Sequence, residues 1–301
     1  MNAIEIKNLS KSFRSMYAVD GLNMTVPVGA IYGFIGENGS GKSTTEKLIC
    51  GHLTKDSGEI KLFGKDYTDA GVRVRVGALI ENAGCFPGSS VYHNLMMQAI
   101  NLGLENPDAE IERVLKIVRM DEHSSLKFKK CSLGMKQRIG IAMALLGDPA
   151  LLILDEPING LDTDGMKIMR EILVDITENY GCTVLISSHL LGELEKIATH
   201  YGIIRQGKMI CEMSAKELEN RARSFITLSA KNLDAAAVVL RKTYSDVRVE
   251  DDKIRVFDAD DTAKIVQTLM ENGIAVSEIY KNKIGLEEYY IELMSGKDGN
   301  Q

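Results

Sequence analysis

The chain has few of the features that would place it outside a cell or through a membrane. Its five cysteines, Cys50, Cys85, Cys131, Cys182 and Cys211, are odd in number, widely spaced and never form a C-x-x-C pair. That argues against a disulfide framework and a zinc site and fits reduced thiols. Apolar runs such as Ile139 to Leu146 fall far short of the roughly 18 residues of a spanning helix. The opening Met1-Asn2-Ala3-Ile4-Glu5-Ile6-Lys7 has no basic stretch followed by an apolar core, so no secretory signal is expected and the chain is expected to stay inside the cell. Long basic runs are missing too. With a net charge of -6, nucleic acid is not expected as a partner.

What is present is 301 residues of ordinary globular composition, enough for two domains. Residues 3–8, 22–26, 31–35, 59–63 and 76–80 read as short strands, broken by Pro27-Val28-Gly29 and Ser57-Gly58. From Ser90 to about Gly147 apolar residues recur every three to four positions, which predicts a helical insert. Beyond it, strand 151–154, helix 165–179, strand 183–187, helix 190–199 and strand 202–205 alternate, the signature of a parallel α/β sheet. A hairpin at Arg205-Gln206-Gly207-Lys208 and a polar helix at 215–223 close this part. The order from Phe225 onward is βαββαβ plus a last helix, a small α+β domain of the ferredoxin-like type. The expected domains are therefore 1–222, with the helical part at about 88–148, and 223–301, read as a structural or regulatory accessory.

The most informative stretch is Gly36-Glu37-Asn38-Gly39-Ser40-Gly41-Lys42-Ser43-Thr44, which fits G-x-x-x-x-G-K-[ST] between an apolar strand and a helix. Its glycines let the backbone bend so that N–H groups of Asn38, Gly39, Ser40, Gly41, Lys42, Ser43 and Thr44 surround a phosphate at a helix N-terminus. Lys42 would reach the β and γ phosphates and Ser43 would ligate Mg²⁺. A second element, Leu151-Leu152-Ile153-Leu154-Asp155-Glu156, puts two carboxylates at the C-terminal end of an apolar strand, where parallel sheets bind ligands. Asp155 can hold Mg²⁺ there, and Glu156 can polarise a water that attacks the γ phosphate. GTP is disfavoured, because the one Asn-Lys pair, Asn282-Lys283, continues as Ile284-Gly285 rather than N-K-x-D.

These elements, in order with Ser132-Leu133-Gly134-Met135-Lys136-Gln137-Arg138, Asn159-Gly160-Leu161-Asp162 and Ser188-His189, make residues 2–222 resemble an ABC-type ATPase, a P-loop NTPase fold. The resemblance implies that Ser132 and Gly134 serve the γ phosphate of ATP held by a second ATP-binding subunit, with two chains closing face to face as a homodimer. It also implies that His189 contacts the γ phosphate, that Asp162 links the two sites, and that Phe13, better placed than Tyr17, stacks on adenine. Two departures stand out. The usual L-S-G-G-Q reads Cys131-Ser132-Leu133-Gly134-Met135, and the usual Gln of the Q-loop is Glu81, which adds a carboxylate beside the metal. Together they resemble the bacitracin-exporter and lantibiotic-immunity branch.

The reading that follows is an ATP-hydrolysing subunit at the cytoplasmic face of a membrane, driving export of a peptide antibiotic or similar amphipathic toxin through separate permease subunits that dock near Glu81 to Asn94. A soluble ABC ATPase acting on ribosomes or DNA is the rival. It is disfavoured by the single phosphate loop and the absence of long coiled coils between Ser43 and Asp155. A binding module without turnover would be expected to lack Lys42 or Glu156, and both are present.

Overall fold

The computed structural model describes residues 1–221, 224–250, 252–283 and 285–294, and the chain divides into two compact units, Met1–Ala215 and Lys216–Gln301. The expected boundary at residues 222 and 223 lies outside the described residues.

The first unit opens with a long antiparallel hairpin, β1 (Asn2–Phe13) and β2 (Met16–Pro27). Leu22, Met24 and Val26 are buried while Asn23 and Thr25 are exposed, the period of two that gives a strand one wet and one dry face. These strands run well beyond the expected 3–8 and 22–26, because pairing continues along the hairpin past the apolar residues that announce it. Next come β3 (Ile31–Ile35), α1 (Lys42–Ile49), β4 (Ser57–Leu62), β5 (Lys65–Asp66), α2 (Ala70–Arg73) and β6 (Val76–Leu79). The helical insert is α3 (Val91–Asn101), α4 (Pro107–Ile117) and α5 (Leu133–Leu145). Ser90 caps α3 by accepting the His93 N–H, and α4 starts on Pro107 with Asp108 and Glu110 in its positive first turn.

Then follow β7 (Leu151–Asp155), α6 (Thr163–Glu178), β8 (Thr183–Ser188), α7 (Leu191–Leu194), β9 (His200–Arg205) and β10 (Lys208–Ser214). The helix expected over 190–199 is only the four residues of α7. Thr199 instead gives both its N–H and its hydroxyl to the Ile31 carbonyl, which draws the chain into the sheet.

Two sheets result. One has the order β10-β9-β3-β8-β7-β6, parallel except for β10, and the other is antiparallel β2-β1-β4-β5. The central strands β3 and β8 are buried at every residue, as strands covered on both faces must be. A single core joins Ile6, Met24 and Ile60 of the antiparallel sheet to Phe34, Ile153 and Leu185 of the parallel one, with Leu48 and Ile49 of α1 among them. One carboxylate oxygen also bridges the sheets: Glu212 Oε1 accepts the Thr25 N–H at 2.7 Å and the buried Tyr32 hydroxyl at 2.6 Å. Because the strands flanking β3 and β7 are parallel to them, the C-terminal ends of β3, β7 and β8 converge on one edge.

The second unit follows α8 (Ala215–Arg221) with β11 (Ser224–Ala230), α9 (Leu233–Leu240), β12 (Val247–Glu250), β13 (Lys253–Val256), α10 (Thr262–Glu271), β14 (Val276–Lys283) and α11 (Leu286–Met294). Its sheet is fully antiparallel in the order β12-β13-β11-β14. Ile226 and Leu228 pack with Ala237, Leu240, Ile265 and Leu269 as a separate core.

Candidate nucleotide site

The loop from Gly36 to Gly41 leaves the buried end of β3 and turns into α1 with Gly41 as its N-terminal cap. Gly41 sits at φ +111°, and a Cβ there would lie 2.4 Å from the Ala18 carbonyl, so no other residue fits. The turn between β9 and β10 buttresses the loop, Gly207 N–H donating to the Ser40 carbonyl at 2.8 Å and Asp20 N–H to the Gly207 carbonyl at 2.9 Å.

Lys42 is the first residue of α1 and only 5 % exposed. Its ammonium folds back over the loop, donating to the carbonyls of Gly36 at 2.7 Å and Glu37 at 3.2 Å, and lies 3.7 Å from Glu156 Oε1. Glu156 follows β7 in a left-handed conformation, φ +51°. Its N–H donates to the Ser187 carbonyl and hydroxyl oxygens at 3.2 and 3.1 Å, which holds the carboxylate at the sheet edge. The other carboxylate oxygen is 2.7 Å from His189 Nδ1. Glu156 is thus gripped between an ammonium and an imidazole. Ser187 also donates its hydroxyl to Asp155 Oδ1 at 2.8 Å, so one serine of β8 fixes both carboxylates.

A single cleft is lined by Asn38, Gly39, Gly41, Lys42, Ser43 and Thr44 of the loop together with Ala18, Asp155, Glu156, Asn159 and His189. Most of the residues expected for phosphate, and Ser43, Asp155 and Glu156 expected for metal and water, therefore line one cleft, without Ser40 and Glu81. Ser43 and Asp155 offer a hydroxyl and a carboxylate, the hard oxygen donors that Mg²⁺ takes. Among the described residues no three His, Cys, Asp or Glu side chains gather as a metal site.

Other expected residues lie elsewhere. Ser40 is buried, donates its N–H to the Glu37 carbonyl at 3.1 Å and does not line the cleft. Glu81, φ +64°, is exposed on the loop after β6, where its carboxylate accepts Lys47 Nζ at 2.5 Å and is held below its usual range by that bond; it does not line the cleft. Phe13 ends β1 about half exposed, with the Lys11 ammonium 5.5 Å from its ring centre, and is not among the lining residues either. Ser132 caps α5 by accepting the Met135 N–H, and Asp162 caps α6 by accepting the Gly165 N–H at 2.9 Å. Neither they nor Gly134 border the cleft. Sequence reasoning missed Ala18 and Ser187. Ser187 had a signal, a polar residue ending an apolar strand two places before His189; Ala18 had none.

One further residue was unforeseen. Glu46 of α1 is fully buried, and burial, followed by the charge of Asp155, pushes its carboxyl up to about 8.

Comparison with known proteins places the chain among nucleotide-binding cassettes. Residues 19–159 match the family model described as "ABC transporter". The bacitracin transport ATP-binding protein BcrA of Bacillus licheniformis is 36 % identical over 299 residues, 97 % of each chain. The lantibiotic transport ATP-binding protein SrtF of Streptococcus pyogenes is 38 % identical over 222 residues, 74 % of this chain and 95 % of that one. Among solved structures, cbiO1 of Clostridium perfringens, part of the transporter complex cbiONQ, superposes with a TM-score of 0.66 at 26 % identity, covering 73 % of this chain and 91 % of the other.

Proposed function

The chain belongs to the ABC transporter family as an ATP-binding, ATP-hydrolysing subunit, and on that premise we propose how its residues divide the work. The observation that carries the reading is a half-site: Lys42, Ser43, Asp155, Glu156 and His189 share one cleft, while the signature residues Ser132 and Gly134 lie away from it. Two copies of the chain close face to face, and each lends its Ser132 hydroxyl and α5 N-terminus to the phosphate in the other's cleft. Lys42 exchanges the Gly36 and Glu37 carbonyls for β and γ phosphate oxygens. Glu156 orients the attacking water as general base, and His189 fixes that carboxylate and meets the γ phosphate. Ser43 and Asp155 would hold Mg²⁺, whose charge neutralises the phosphates when bound. Glu81 joins them only by giving up Lys47. Phe13, exposed at the end of β1, offers its face to adenine, and Asp162, by capping α6, sets the loop that faces the second chain.

The cargo proposed is a peptide antibiotic or a similar amphipathic toxin, exported through separate permease subunits. The full-length likeness to a bacitracin transport protein and the likeness to a lantibiotic one support this. Among the described residues no helix is long and apolar enough to cross a membrane, in keeping with a subunit that works from the cytoplasmic face. We assign residues 1–222 to the cassette and 223–301 to an accessory domain. The antiparallel order β12-β13-β11-β14 with α9 and α10 as crossovers supports a ferredoxin-like reading of the latter.

Affinity isolation of the tagged chain in mild detergent, followed by an ATPase assay, tests the reading. A multi-spanning protein in near-equal amount, with ATP hydrolysis by the complex, is the expected result. Ribosomal or DNA-bound partners without a membrane protein would overturn it.

A further inference from the structure

His189 stands in the short link between β8, which ends at Ser188, and α7, which starts at Leu191. Its Nδ1 meets a Glu156 oxygen at 2.7 Å, so where that contact falls depends on how α7 is docked. On the strand side the link is tied, the Ser188 hydroxyl accepting the Leu190 N–H at 3.0 Å. On the other side, α7 has only four residues, too few to be stable alone, and Leu190 at its start supplies no side-chain cap. Its place must be set by groups outside it.

Two contacts do this. Leu194 is fully buried, its Cδ1 3.3 Å from where a Cβ on Gly33 of β3 would lie, which fixes how deep the helix sits. Glu193, next to it, reaches a different element. One of its carboxylate oxygens takes the guanidinium of Arg170 on α6, and the other accepts Lys196 Nζ at 2.7 Å. The base is firm, because Met169, Ile172 and Leu173 around Arg170 are in the core. A single buried leucine leaves a one-turn helix free to swivel about that contact. An ion pair to a neighbouring helix removes the swivel and fixes the end that carries His189. The Arg170 and Glu193 side chains are only 21 % and 17 % exposed. A pair so far out of water is a weak source of stability, since apolar side chains of the same volume would do as well; what it adds is a defined geometry.

We propose that Arg170 is a positioning residue for His189: through Glu193 it sets the orientation of α7 and thereby the contact of His189 with Glu156. The inference rests on the reading that His189 fixes Glu156 for hydrolysis. Arg170 does not line the cleft, so its loss slows the chemical step and leaves ATP binding nearly unchanged.

The test is a double-mutant cycle in the full chain, isolated in mild detergent as above, with Arg170→Met, His189→Ala and the two combined. Single-turnover hydrolysis with protein in excess resolves slow variants, and a fluorescent ATP analogue reports binding. Arg170→Met, which keeps the stem and removes the guanidinium, is expected to hydrolyse about tenfold more slowly, with analogue binding within about twofold of the parent; a misplacement of about 1 Å can lower a rate by up to about 100-fold. In the His189→Ala background the same substitution is expected to slow nothing further, because the residue it positions is gone. Glu193→Gln, which keeps the volume and loses the charge, replaces Arg170→Met in the cycle if that variant does not fold. An equal slowing with and without His189 would make Arg170 a general structural residue and end the proposal, as would parental rates in both Arg170→Met and Glu193→Gln. A parental rate in His189→Ala would instead remove the reading of His189, and the inference with it.

Discussion

In the proposed mechanism Glu156 is the general base, and the fold holds its side chain between Lys42 and His189 on a left-handed backbone. Replacing it with glutamine keeps the shape and removes the base. Glu156→Gln is expected to lose about 10²- to 10⁴-fold in hydrolysis while still binding ATP, and to run as an ATP-dependent dimer in size-exclusion chromatography with light scattering. A monomer with ATP that hydrolyses at the parental rate would contradict the composite site. Glu46 gives a second expectation at this scale. Its folded pKa of about 8 lies above its ordinary value of 4.5, so the folded state favours the protonated acid. The stability this provides is complete below the ordinary value and is lost as pH rises toward about 8. The stability of Glu46→Leu relative to the parent, measured by urea unfolding without nucleotide, should therefore rise across that window. A constant gap would mean that Glu46 does not titrate there. Lys42, Ser43, Asp155 and Glu156 were legible in the sequence because their motifs carry spacing as well as residue type. Glu46 was not, because a glutamate one turn after a lysine reads as a solvated helix face until the strands packed against it are known.

At the scale of elements, the start of α5 and the loop before α6 lock together through reciprocal contacts. Leu133 Cδ2 lies 3.1 Å from where a Cβ on Gly160 would be, and Leu161 Cδ2 lies 3.6 Å from the same point on Gly134. Leu133 stands where the family's signature usually has a glycine, so the departure supplies a contact. Gly160→Ala, at φ +74° and against Leu133, is expected to cost about 1–3 kcal/mol in unfolding free energy, and Leu133→Gly to relieve most of that clash in the double variant. Additive losses would show that the two segments are not coupled. Strand and helix identities were read from period and composition over most of the chain, β3, β7 and β8 nearly to the residue. What was not legible is the non-local part. The full length of β1 and β2 depends on their pairing with each other, and the shortness of α7 on Thr199 bonding to Ile31, 168 residues away in sequence. The strand order of the parallel sheet was equally beyond a reading of local pattern.

For the whole molecule, the half-site proposed above implies that activity belongs to a pair. A Lys42→Ala chain keeps its signature, and a Ser132→Ala chain keeps its phosphate loop. Each alone is expected to be nearly inactive, whereas mixing them forms dimers with one intact site and restores a substantial fraction of the parental rate. No recovery on mixing, with mixed dimers verified by differential tags, would place the whole site within one chain. Ser132→Ala also removes the cap of α5, a loss of about 0.5–2 kcal/mol that a melting curve separates from the loss of activity.

The bridge at Glu212 has a consequence for how the first unit comes apart. Its Oε1 ties the Thr25 N–H of the hairpin to β10 of the other sheet, and a single core joins Ile6 and Met24 to Phe34 and Leu185, so lifting the hairpin away both breaks that bond and opens the shared core. The hairpin and the sheet that carries the phosphate loop thus have no separate route to the unfolded state. Calorimetry of the first unit's transition should show one cooperative peak, and proteases should meet the hairpin only when the whole cassette opens.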